Sequence, residues 1–160
     1  MYEIIVCPIK RLYQLAEDAD MSEVAVIAVS SYEIKKEKLA GFYACHCMNF
    51  ADIANADHPS AFNAYAAAET ANFIKALPEN LDTLFACCDS GESRSAAMAA
   101  AIMRFLHLDE MRIWTFPGYH PNKLVYLLLC EALGVSVSPE EAEKKSEISS
   151  KALKKAINKN

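Results

Sequence analysis

The 160-residue chain has the size of one domain and is long enough to bury a core. With 53% hydrophobic and 23% charged residues it excludes an intrinsically disordered chain. A net charge of -5 with no basic face argues against a nucleic-acid partner. No apolar run reaches the roughly 18 residues that a membrane helix needs, so no membrane partner is expected. The N-terminus opens on a strand-like segment without a signal-peptide core. Most of the six cysteines (7, 45, 47, 87, 88 and 130) sit in apolar runs, where cysteine acts as a small hydrophobe. A reduced, cytoplasmic setting is the expectation.

In chain order, residues 2–7 read as a first strand stopped by Pro8. Ile9, Leu12, Tyr13 and Leu15 recur at helical spacing and predict a short helix over 9–17. Val24-Ala25-Val26-Ile27-Ala28-Val29 is a continuous apolar run, the mark of a strand covered on both faces. A charged loop over 33–38 and a third strand over 41–50 follow. Residues 51–60 form a polar loop, and Ser60 is placed to cap a helix over 61–77. A central strand is expected at 83–87 and a helix at 94–107. Ile113-Trp114 reads as a short extended piece. His120-Pro121-Asn122 starts a helix that runs to 133, with Gly134 as its stop. Strands alternating with helices imply an α/β fold: a central, mostly parallel sheet of about four or five strands flanked by helices on both faces. Residues 1–137 form a single domain on this reading. Residues 138–160, with four glutamates against six lysines and a weak apolar spacing at Ile148, Leu153 and Ile157, read as a frayed helix or mobile tail.

The chemistry concentrates in Phe85-Ala86-Cys87-Cys88-Asp89-Ser90-Gly91-Glu92-Ser93-Arg94-Ser95. An apolar strand ends at a cysteine, a polar loop with one glycine follows, and an alanine-rich helix begins at Arg94. Loop amides and a helix N-terminus directed at one spot make an anion site. A cysteine at the start of such a loop stands where positive potential favours the thiolate. Arg94 can grip a tetrahedral oxyanion through two parallel hydrogen bonds, which lysine cannot do. Gly91 supplies the backbone freedom the loop requires.

This Cys-x5-Arg-Ser loop, with Phe50-Ala51-Asp52-Ile53 before it and His120-Pro121-Asn122 after it, resembles the cysteine-based protein phosphatases, especially small microbial dual-specificity-like enzymes. The resemblance covers about residues 20–133 and implies hydrolysis of phosphate monoesters without metal or cofactor. By that likeness Cys88 is the nucleophile and passes through a phosphocysteine. Arg94 binds two phosphate oxygens, and Ser95 assists thiolate departure or caps the helix. Asp89, Ser90, Gly91, Glu92 and Ser93 contribute mainly amides to the substrate phosphate. The substrate expected is a phosphorylated protein, with phosphotyrosine ahead of phosphoserine or phosphothreonine, or a small phosphate ester. The loop lacks the lysines of relatives that act on phosphoinositides. Two departures from the family stand out. Cys87 occupies the place of a histidine that helps to hold the thiolate, and Ala51 stands where a further acid is common.

The general acid has two candidates on the 51–60 loop. Asp57 stands at the separation from the cysteine commonest in dual-specificity enzymes and is placed first. Asp52 follows the strand directly and matches the family's acid-bearing segment. Asp57 could instead cap the helix after it. Cys45 or Cys47 is a possible resolving thiol for an oxidised Cys88. His46 between them, and His58 beside Pro59, lack the spacing of a structural zinc site. Trp114 and Tyr119 either wall the pocket or pack in the core, and Asn122 either orients a neighbouring loop or caps its helix. A phosphate-binding module with little turnover, and a thiol oxidoreductase or sulfurtransferase using Cys88, are the other classes compatible with this pattern.

Overall fold

The computed structural model describes all 160 residues. Four strands, β1 (Glu3–Pro8), β2 (Val24–Ser30), β3 (Ala44–Asn49) and β4 (Thr83–Cys88), form one all-parallel sheet in the order β1-β4-β2-β3. Six helices accompany them: α1 (Ile9–Asp18), α2 (Ala64–Ala76), α3 (Arg94–Phe105), α4 (Met111–Thr115), α5 (Lys123–Leu133) and α6 (Pro139–Asn158). No helix is long and apolar enough to cross a membrane.

Alternation along the strands divides the interior in two. Ala25, Ile27 and Val29 of β2, with Leu84, Ala86 and Cys88 of β4, join the larger core under α2, α3, α4 and α5. Val24, Val26 and Ala28, with Phe85 and Cys87, face the smaller core under α1 and a 3-10 turn at Lys36–Leu39. Helices therefore cover both faces, unequally. Helix α3 lies against the sheet with Arg94 to Met103 buried throughout. Five alanines in that stretch let its backbone approach the strands closely, at a helix propensity no other residue exceeds. The two inner strands, β4 and β2, both end at the same edge of the sheet, the edge at which open parallel sheets present their ligand sites.

Several elements differ from the sequence reading. The third strand is shorter than 41–50, because Phe42 turns inward to the smaller core and the Tyr43 amide bonds to Met21 and Val24 carbonyls. Helix α2 starts at Ala64, capped by the Asn63 side chain accepting from the Ala66 amide at 2.9 Å, not by Ser60. Ser60 instead closes the preceding loop, its carbonyl accepting from the Ala51 amide. The expected extended piece at 113–114 is the short helix α4, whose Ile113 and Trp114 enter the larger core.

The largest correction concerns the tail. Residues 139–158 form a single continuous helix, α6, with the Ser138 hydroxyl accepting from the Glu141 amide as its cap. It docks on α4 and α5 through polar groups rather than an apolar stripe. Lys145 donates to Glu110 at 2.6 Å and to the Tyr126 hydroxyl at 2.9 Å. Arg104 reaches both Glu110 and Glu141. A search for apolar periodicity misses a helix held in this way.

Candidate active site

Cys88 closes β4 with its side chain on the α3 face, 1% exposed, its Sγ 3.0 Å from the Ser95 hydroxyl. Ser95 is fully buried in the first turn of α3, where its hydroxyl faces the thiol rather than capping the helix. Cys87 points the other way, its Sγ 3.4 Å from Cys7 on the paired position of β1. That shared hydrogen bond, and burial after it, push the Cys87 thiol well above its ordinary range. Burial likewise raises Cys45, to about 11, and Cys47. Both cysteines lie on β3 with Cys47 packed in the smaller core, opposite the face of Cys88, so neither meets the closeness to Cys88 that a resolving thiol needs.

The loop from Asp89 to Ser93 curls over the ends of β1 and β4. Gly91 adopts φ +71°, and a side chain there would meet the Pro8 nitrogen at 2.5 Å and the Cys7 carbonyl carbon at 2.6 Å. Glycine is required on both counts. The amides of Ser90, Gly91, Glu92 and Ser93 donate to no other group of the protein. The loop's carbonyls, by contrast, are engaged: Glu92 accepts from the His120 amide at 3.0 Å, and Ser93 accepts from the Asn122 and Ala97 amides. A run of unpaired N–H groups beside a helix N-terminus concentrates positive potential. The Glu92 side chain is half-exposed at the rim, 3.9 Å from His120 Nε2.

Arg94 is 5% exposed and held from three segments. Its Nη1 donates to the Ser31 hydroxyl at 3.1 Å and the Phe50 carbonyl at 2.7 Å, and its Nη2 donates to Asp89 at 2.9 Å. A guanidinium has five N–H groups, so Nε–H and one Nη2–H remain. Arg94 Nε is the single buried side-chain nitrogen or oxygen in the protein without a hydrogen-bond partner. Native structures rarely leave such a group unpaired, and when they do a catalytic role or a bound ion is among the explanations.

Of the two acid candidates, Asp52 is the one tied to the loop. Its Oδ1 accepts from the Ser93 hydroxyl at 2.8 Å and from Asn122 Nδ2 at 2.9 Å, while Oδ2 makes no hydrogen bond. Asn122 does both things foreseen for it, because its Oδ1 also caps α5 by accepting from the Val125 amide. Asp57, placed first by spacing, is exposed; its amide bonds to Asn55 and its carboxylate bonds to nothing. The difference between the two carboxylates has a physical source. Separation along the chain counts residues, whereas the 51–60 loop folds back on itself through the Ala51–Ser60 bond and carries Asp57 outward. His58 serves that loop by accepting from the Ser60 amide, and His46 bonds to Thr70. Trp114 is fully buried against Glu110 and Tyr126, so it packs rather than walls a pocket.

The sequence reading missed the Asp89 side chain. Expected to contribute mainly its amide, Asp89 also accepts through its side chain from the Ser30 hydroxyl, the Ser31 amide and Arg94. Burial pushes its carboxyl up, but the bonds from Ser30, Ser31 and Arg94 outweigh that and hold it below the ordinary value. The available signal was Ser30-Ser31 at the end of an otherwise apolar strand, where a neighbouring strand's loop needs polar partners.

No family model matches the chain, and no curated protein matches it. Among solved structures it is similar to PTPMT1 in complex with PI(5)P, at 18% identity over 96% of this chain and 94% of that one, with a TM-score of 0.44. A second structure of PTPMT1 gives 17% identity over 98% and 95%, with a TM-score of 0.43. The core catalytic domain of the PP-IP phosphatase SIW14 from S. cerevisiae, in complex with citrate, gives 12% identity over 98% and 86%, with a TM-score of 0.45. Similarity at this level assigns no activity.

Proposed function

We propose that the chain hydrolyses phosphate monoesters through a phosphocysteine on Cys88. The observation that carries this reading is the buried Arg94, which has two donors without a protein partner and closes the same loop that begins at Cys88 and carries four unpaired amides. The amides of Ser90 to Ser93 and the open edge of Arg94 bind the phosphate oxygens, and that binding strengthens as charge spreads over them in the transition state. The Cys88 thiolate attacks phosphorus in line while the ester P–O bond breaks. The departing oxygen takes a proton from Asp52. With Oδ1 already accepting two hydrogen bonds, Oδ2 is the oxygen that carries this proton. In the second step the Asp52 carboxylate takes a proton from water, which attacks phosphorus as the P–S bond breaks. The Ser95 hydroxyl, 3.0 Å from Sγ, stabilises the departing thiolate. No metal or cofactor enters either step.

Asp89 and Glu92 in the loop, with no lysine between Cys88 and Ser95, favour substrates with one phosphate over those crowded with several. A phosphotyrosine protein is the substrate proposed, ahead of a small phosphate ester. The test is turnover of p-nitrophenyl phosphate, followed by a panel of phosphotyrosine and phosphoserine peptides and a phosphoinositide. Acid quench during turnover should trap phosphate on the Cys88 peptide. Oxyanion binding without turnover on any of these would instead make the chain a phosphate-binding module. Faster turnover of the phosphoinositide than of the peptides would overturn the substrate assignment.

A further inference from the structure

We propose that the Asp89 carboxylate is the positioning residue for Arg94, anchored to the end of β2 so that the open edge of the guanidinium is set before an anion arrives. This inference rests on the anion-site reading above. Residue 89 directly follows the nucleophile, so the backbone that fixes Cys88 also fixes the partner of Arg94. In the register of β2 against β4, Ala28 pairs with Cys87, and two residues on Ser30 comes beside Asp89. The Ser30 hydroxyl accepts from the Tyr32 amide at 3.0 Å, which leaves its proton for Asp89 Oδ1. Oδ2 accepts from the Ser31 amide and from Arg94 Nη2, each at 2.9 Å. Ser31 then appears twice, its amide on Asp89 and its hydroxyl on Arg94 Nη1. One turn of chain after β2 therefore holds both members of the ion pair.

Two physical consequences follow. A buried guanidinium without a counter-charge is strongly unfavourable, and Asp89 supplies that charge while the anion site is open. A long side chain that is already immobilised also loses less freedom when it binds, which favours affinity. Asp89 engages only one Nη2 hydrogen, so the pair neutralises Arg94 without consuming the edge that meets phosphate.

The experiment is calorimetric titration of tungstate, a tetrahedral oxyanion, into the wild-type protein, Asp89→Ala, Asp89→Asn, Arg94→Ala and the Asp89→Ala/Arg94→Ala double variant. Asp89→Ala should weaken tungstate about 10- to 100-fold, the scale of a hydrogen bond to a charged group. Asp89→Asn, whose amide oxygen still accepts from Ser31 and Arg94, should bind within about fivefold of wild type. In the Arg94→Ala background the alanine at 89 should have almost no further effect, because nothing is left to position. Tungstate binding by Asp89→Ala within about threefold of wild type overturns the inference. So does an equal loss in the Arg94→Ala background, which marks a purely structural residue. Failure of the wild-type protein to bind tungstate overturns the anion site and this inference with it.

Discussion

The protein buries two clusters of charged side chains, and they are completed differently. Around Glu110, no fully buried side-chain donor is left without a partner. The carboxylate accepts from Lys145, Arg104, Tyr126 and Trp114, and further hydrogens of Lys145 and Arg104 go to Tyr126, Glu141 and the Ser136 carbonyl. Around Arg94 the cradle is as dense, yet Nε and a row of loop amides are left over. The first cluster is finished within the protein and joins α3, α4, α5 and α6. The second keeps donors without a protein partner, which is what the proposed anion site would use. Satisfied polar groups mark a brace, and unsatisfied ones with rigid surroundings mark a site.

If that distinction is right, changes in the two clusters separate turnover from stability. The largest effect is expected of Cys88→Ser, which should lose p-nitrophenyl phosphate turnover by about 10⁴-fold or more while still binding tungstate. Cys87→Ala, one residue away on the opposite face, should stay within about threefold. Retained turnover in Cys88→Ser would remove the nucleophile. Arg94→Lys keeps the charge but loses the fork, and kcat/KM should fall about 10³-fold. A loss under about threefold would show that the open edge has no role in binding the transition state.

A smaller and substrate-dependent effect is expected at Asp52. Asp52→Asn should slow a phosphotyrosine peptide about 10²-fold, and p-nitrophenyl phosphate much less, because nitrophenolate leaves without a proton. The basic limb of its pH–rate profile should flatten. The same pattern in Asp57→Asn, and not in Asp52→Asn, would restore the order that spacing suggests.

In the other cluster, Glu110→Ala should leave turnover per folded molecule within about twofold while lowering stability by about 3 kcal/mol, roughly 6–12 °C in Tm. Burial pushes the Glu110 carboxyl up, but bonds from Lys145, Tyr126, Trp114 and Arg104 hold it below its ordinary 4.5. A carboxyl lowered on folding contributes stability that is complete above 4.5 and is lost as pH falls through its folded value. Thermal melts between about pH 7 and pH 3 should therefore converge for wild type and Glu110→Ala at the acid end. Parallel curves would show that the carboxylate is not the group at work. A fall in kcat/KM matching the fall in stability would show that the two clusters are not separate.

The sequence by itself determined the strand–loop–helix at 83–105, the parallel α/β architecture and the opposite facing of Cys87 and Cys88. Those rest on local facts: an apolar run of strand length, a glycine where a side chain would strike β1, an alanine-rich helix, and an alternation that sends Cys87 and Cys88 to opposite faces. Tertiary structure decided the rest. Asp52 rather than Asp57 meets the loop because a ten-residue segment closes on itself, and no count along the chain records that closure. Asp89 brackets Arg94 because β2 happens to lie beside β4, a neighbour relation fixed by strand order. Helix α6 docks because Lys145 meets a carboxylate presented by residue 110, and apolar periodicity carries no trace of a partner that is charged and distant in sequence. Periodic burial is written in consecutive residues, whereas polar pairing between segments comes into being only when the sheet brings their ends together.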